Sequence, residues 1–363
     1  MKAIFLSCIF LGLLFGCSDN SVVVSETQSS AKDSLSIALT EFSIPNTTIR
    51  ALEALNDSTV WFGGSNGRFG YTLDNGKNWV IDSLYYNDTK LEIRSISVLE
   101  NGDVFVVGVA NPAVVYKSEN EGRDWAVVYA DTSADAFFDA IEFWDAQNGM
   151  LLGDAQYGCF HIALTNDGGN TWNKVACGNI PRALDFEGPF AASNTNIAIK
   201  GNNAWFGTGG KTLSRVFSTA NQGKSWRVTN TPIVSGKQMT GIFSIDFYDE
   251  NVGIVAGGNW ENVFEKDSAM AITSDGGINW NLIEPYANAG FVSCAQFVPE
   301  SKGMGLVTLK GRARGGESSM SYSSDFGNTW QVFSNSNYLA IQFANKNVAW
   351  ISGKNKIAKL VLE

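Results

Sequence analysis

The chain has 363 residues, with 26 Lys and Arg against 36 Asp and Glu, a single His, 37 Gly and 12% aromatic residues. A net charge of −10 with scattered basic residues argues against nucleic-acid binding. One His and no Cys-x-x-Cys pair argue against a zinc centre.

The N-terminus reads as an address. Lys2 precedes an apolar run that ends at Leu14-Phe-Gly-Cys17. Such a run with a small residue before Cys is a signal peptide with a lipobox, so residues 1–16 are expected to be removed and Cys17 lipidated. Residues 17–33, Ser-rich and polar, are expected to form a flexible tether. Acyl chains would then hold the chain at a membrane of the cell envelope, on the periplasmic face or the cell surface. Residues 34–363 form the folded unit.

That unit is repetitive. Inner-strand candidates, apolar and alternating, recur at Ala51–Leu55, Ser95–Leu99, Ala140–Phe143, Asn196–Ile199, Ser244–Phe247, Cys294–Phe297 and Ala340–Phe343. Each precedes a second apolar strand ending in small residues: Val60–Gly64, Val104–Gly108, Met150–Asp154, Ala204–Gly207, Val252–Ala256, Gly305–Val307 and Val348–Gly353. After the first six comes an eight-residue box. The first copy is Thr72-Leu-Asp74-Asn-Gly76-Lys-Asn-Trp79. The others end at Trp125, Trp172, Trp226, Trp280 and Trp330, 46 to 54 residues apart. A repeat of that length with strand-like flanks predicts an all-β propeller, and seven inner strands predict seven blades. The segment Leu35–Phe42 alternates like a strand and is expected to join the last blade, closing the ring.

Each box reads as a hairpin turn. Its Asp or Asn oxygen accepts from downstream amides, its Gly supplies positive φ, and its Trp starts the outgoing strand. Asn at 120 and 221 suits a turn oxygen better than an ion ligand. Cys159 and Cys177 flank the third box symmetrically and should face each other, as a disulfide or as two buried thiols. Cys294 and His161 read as structural.

The boxes point to one face, which leaves the loops at the opposite channel mouth for recognition. Those loops offer Arg50, Arg94, Arg182, Lys211, Arg312 and Arg314, with Asp154, Glu187, Trp260 and Glu261 nearby. Cationic groups there would suit a carboxylate-bearing ligand or an acidic partner segment.

The boxes resemble BNR/Asp-box repeats of sialidases and of many noncatalytic propellers. The layout is similar to the photosystem II stability/assembly factor family, seven-bladed rings that assist membrane-protein assembly. The likeness is carried by the run from Gly188 to Ile197, by Trp205–Gly210, Arg215-Val-Phe217, Thr231-Pro-Ile233 and Gly241–Ile245. It implies a noncatalytic binding or assembly module without cofactor, whose partner is a membrane or envelope protein, or an anionic glycan. A sialidase-like glycosidase is the alternative. It would need an Arg triad and a Tyr–Glu pair, for which Tyr157 with Glu187 or Glu261 is the nearest match. The Arg-Ile-Pro opening of sialidase domains is absent; Asn179-Ile-Pro-Arg182 has another order. No Gly-x-Gly-x-x-Gly turn in a βαβ setting supports an oxidoreductase.

Overall fold

The computed structural model describes residues 21–26, 35–265, 268–283, 290–310, 318–333 and 337–363. The expected signal peptide, Cys17, Arg312 and Arg314 lie outside the described residues. Ser21–Glu26, within the stretch read as a tether, is a strand paired antiparallel with Ile37–Phe42.

The described chain is an all-β propeller. Blade-sized antiparallel sheets number six, so the expectation of seven separate blades is corrected to a six-bladed arrangement. The cause is one long strand. Ile37–Ala54 pairs along its first half with Lys356–Leu362 and along its second half with Val60–Gly64. What the repeats suggest are a first and a seventh blade are therefore one continuous sheet. It runs in the order Tyr338–Phe343, Val348–Leu362, Ile37–Ala54, Val60–Gly64, Arg68–Thr72, Val80–Ser83. The seven inner strands are shared among six sheets. The segment that opens at Leu35 meets the last strand in this sheet, with Ser36 N donating to Glu363 O at 3.0 Å.

Most of the other sheets have four strands, inner strand first. The second is Ile93–Val98, Val104–Gly108, Ala113–Ser118 and Ala126–Asp131. A fifth sheet, built on Thr240–Phe247, gains Gly209–Gly210 and Glu187–Gly188 at its inner edge. Strands alternate tightly, so apolar clusters fill the seams between neighbouring sheets rather than one central core. One such cluster combines Phe105 and Val115 with Phe138, Leu151, Ala163 and Trp172.

The boxes bind these seams. In the third, Gly169 N donates to Thr165 Oγ1 at 2.9 Å and Thr171 N donates to Asp167 Oδ1 at 2.9 Å. Trp172 Nε1 returns to Gly169 O at 3.1 Å. The second box makes the same turn through an amide: Asp124 N donates to Asn120 Oδ1 at 2.9 Å. Gly169 has φ +76, and a Cβ there would lie 2.3 Å from Phe105 of the preceding sheet. Glycine thus serves both the turn and the seam. Cys159 and Cys177 are bonded, with Cα atoms 5.5 Å apart, and pin the loop that leaves the third sheet.

Candidate functional site at the channel mouth

The ring encloses a channel, and β-bulges aim side chains into it. In five inner strands the antiparallel register skips one residue at the same place: Arg50, Arg94, Asp139, Phe243 and Leu339. Asp154 is skipped likewise in the strand beside Phe138–Phe143. A bulged residue leaves the ladder and turns its side chain out of the alternating pattern. All six line one cavity of about 600 Å³ at the channel mouth.

The channel is stopped below this cavity. Residues 189–196, which lead into the inner strand Ile197–Lys200, run across the ring. Asn194 Nδ2 donates to Leu52 O at 3.2 Å and to Ile96 O at 3.1 Å, while its Oδ1 accepts from Ile96 N. On the other side Ser193 Oγ donates to Ser293 O at 3.1 Å, and Thr195 Oγ1 meets Ser244 Oγ at 2.7 Å. Ser193, Asn194 and Thr195 let this plug satisfy polar groups of the inner strands, while the buried Asn196 side chain has no hydrogen-bond partner.

The mouth cavity has two unlike walls. One is aromatic: Phe190 stacks on Phe243 with centroids 4.1 Å apart, and Phe291 meets Phe243 edge-on at 4.8 Å. Trp260 and Met239 complete it. The other wall is charged, with Arg50, Arg94, Asp139 and Asp154. Both arginines are tied to the plug: Arg50 Nη1 donates to Ala192 O at 2.8 Å and Arg94 Nη1 to Ala191 O at 3.2 Å. Burial, reinforced by the Arg94 charge, lowers the Arg50 pKa to about 10. Burial also raises Asp154 to about 6. Asp139 is fully buried, and neither of its carboxylate oxygens has a hydrogen-bond partner of sound geometry. Desolvation first and the Asp154 charge second push its pKa well above the usual carboxylate range; the Arg94 charge and the Ala191 amide offset only part of this.

The residues expected from sequence therefore divide. Arg50, Arg94, Asp154, Glu187 and Trp260 border one cavity. Glu187, however, is committed. Arg215 Nε donates to its Oε1 at 2.8 Å, Thr208 Oγ1 to the same oxygen at 2.6 Å, and Leu184 N and Arg215 Nη2 to its Oε2. Arg182 is exposed and donates to Tyr157 O at 3.3 Å, outside the cavity. Lys211 Nζ sits 4.0 Å above the exposed Phe186 ring at the rim, and Glu261 is exposed. Arg50 and Arg94 thus share the cavity without Arg182, so these three do not make the triad a sialidase would use. His161 lies elsewhere, buried, with Nε2 3.0 Å from Tyr129 Oη. Burial, with the Lys174 charge, lowers its pKa to about 4. Among the described residues no group of three or more His, Cys, Asp or Glu is placed to hold a metal ion.

Asp139 escapes a sequence reading of loops because it sits inside a strand. Its signal was available: it directly precedes Ala140 as Arg50 precedes Ala51 and Arg94 precedes Ser95.

No known family pattern and no curated protein matches the sequence. Solved structures do match the fold. One described as YCF48 bound to D1 peptide is 16% identical with a TM-score of 0.64, covering 90% of this chain and 97% of its own. YCF48 from Cyanidioschyzon merolae is 14% identical with a TM-score of 0.58, covering 88% and 98%. A catalytically inactive virginiamycin B lyase from Staphylococcus aureus with Quinupristin is 13% identical with a TM-score of 0.66, covering 90% and 100%. The chain is thus a propeller whose fold resembles that of YCF48 and of these lyases.

Proposed function

We propose that this chain is a noncatalytic binding or assembly propeller that holds a segment of a protein partner at its channel mouth. The observation that carries this reading is the plugged, aromatic-walled cavity of about 600 Å³, large enough for side chains of a peptide. A similar fold is described in complex with a peptide. Exposed aromatic side chains at the rim, Tyr157 and Phe186, extend the apolar surface outward. We further propose that Cys17 carries a lipid, so that the partner is a membrane or envelope protein. On this reading the glycine–tryptophan turns are BNR/Asp-box hairpins with a purely architectural role.

A photo-crosslinking residue at Gln238, which lines the mouth, tests the reading against one at Asn170, on a box hairpin. A discrete adduct from Gln238 alone, lost with Trp260→Ala, is expected. Equal adducts from both positions, or none from the mouth, would overturn it. Cys17→Ser should abolish palmitate labelling and release the chain from the membrane fraction.

A further inference from the structure

The mouth holds a buried acid that its own neighbours leave incomplete, beside two arginines that are partly tied to the plug. Arg50 and Arg94 each direct an Nη1 donor at a plug carbonyl, whereas Asp139 lines the cavity with both carboxylate oxygens buried and no hydrogen bond of sound geometry, the Ala191 amide alone among backbone donors lying near enough to favour its charge. A buried carboxylate with no partner is costly, and such groups persist where something else completes them. Opposite it stands the face of aromatic rings formed by Phe190, Phe243, Phe291 and Trp260. A carboxylate pair facing aromatic rings is the chemistry that recognises an ammonium on an apolar stem.

Resting on the binding function proposed above, we propose that the mouth cavity takes a primary ammonium group of its partner, anchored on Asp139 and Asp154 with its apolar stem against the aromatic wall. A peptide's terminal amine and a lysine side chain share this chemistry. The charged groups lining the cavity are Asp139 and Asp154 on adjacent strands of one sheet, Arg94 and Arg50 on the neighbouring inner strands, and Glu187, whose carboxylate is paired with Arg215. An arriving ammonium offsets the Asp154 repulsion and favours ionised Asp139, so binding near neutral pH releases a proton.

The intact chain is titrated calorimetrically with four probes: phenylalanine amide, acetyl-lysine methylamide, neutral hydrocinnamamide and anionic hydrocinnamate. An ammonium probe should bind about tenfold or more tightly than the neutral one, the scale of a hydrogen bond to a buried charge. Preference for phenylalanine amide identifies a terminal amine, and preference for acetyl-lysine methylamide identifies a lysine. Asp139→Asn and Asp154→Asn should each weaken binding about tenfold. If Asp139→Asn fails to fold, Asp154→Asn and the proton release decide, the latter read on the native chain in buffers of different ionisation enthalpy. Hydrocinnamate binding as tightly as the ammonium probes, or ammonium binding without proton release, would overturn the proposal. So would failure of every probe while the Gln238 adduct persists, which leaves the binding function standing. Ammonium binding with no mouth adduct would instead sink that function and keep the anchor.

Discussion

Charged side chains here follow two opposite rules, and Glu187 shows the first. Its carboxylate is buried and each oxygen accepts from two donors, so it completes the loop 182–188 instead of facing a ligand. Arg215 closes this network and also donates to Arg182 O at 2.8 Å. Arg215→Ala should therefore leave a buried unpaired carboxylate and cost about 3–5 kcal/mol. Urea unfolding measures this, and a loss near zero would show that the pair is dispensable. Arg215→Met with Glu187→Leu should lose less, because no charge is stranded. Gly169 obeys steric limits. Gly169→Ala adds a Cβ in a left-handed turn and against Phe105, so more than about 2 kcal/mol of stability should be lost. Asn120→Asp keeps the accepting oxygen but sets a second carboxylate against Asp124 Oδ2, so it should cost stability by the same measurement, and adding Asp124→Asn should restore it; no loss in the single variant would mean that the turn oxygen alone matters.

Strands and hairpins were legible in the sequence wherever the information is local. Turn residues recur at fixed offsets inside each box, and apolar alternation marks each inner strand, so both are visible in the local sequence. Long-range hydrogen bonding was less legible. The sequence placed Leu35–Phe42 beside the last strand, and the ladder Ile37↔Leu362 through Ser43↔Lys356 bears out that pairing. It did not show that the same strand continues through Ile44 and Ile49 into the first inner strand, and that continuity removes one sheet from the count. The plug is illegible for a related reason: Ala191–Thr195 is small and without alternation, and only the facing strands reveal that Ser193, Asn194 and Thr195 bond inward. Deleting residues 35–43 strips a ladder from the sheet that holds the C-terminal strand, and exposes Trp350 and Ile357, which Phe42 helps to cover. Melting should then shift down by many degrees as one cooperative transition. An unchanged midpoint would mean that the ring stands without this strand.

At the level of the whole ring, the channel gathers acids at both ends. Three residues beyond four of the bulge positions stand Glu53, Glu142, Asp246 and Gln342, joined in a second layer by Gln296, and four of these five border a lower cavity of about 460 Å³ beneath the plug. There Asp246 Oδ2 accepts from Phe297 N at 2.7 Å and Gln296 Oε1 from Phe343 N at 3.2 Å, so the layer stitches inner strand to inner strand. Burial raises Glu53 to about 7 and Asp246 to about 6, and burial with the Glu53 charge holds Glu142 well above the usual carboxylate range. An acid whose folded pKa is raised binds its proton more tightly in the native state, so its contribution is complete below about pH 4 and is lost as pH rises through the folded value. The box aspartates act in reverse. Backbone and side-chain donors hold Asp167 and Asp275 down at about 2, so their contribution is present above about pH 4 and is lost as pH falls towards 2. Because the two sets oppose each other on either side of the ordinary carboxylate range, thermal stability should peak at about pH 4 to 5 and decline towards neutrality. Glu142→Gln combined with Asp246→Asn keeps acceptor oxygens in the layer but removes two of the titrating groups, which should flatten the decline above the peak and leave the acid limb unchanged. Melting temperatures measured across this range decide the matter: a midpoint that climbs steadily from acid to neutral pH would mean that the channel acids are solvated well enough to ionise freely, and that the ring carries no strain from gathering them.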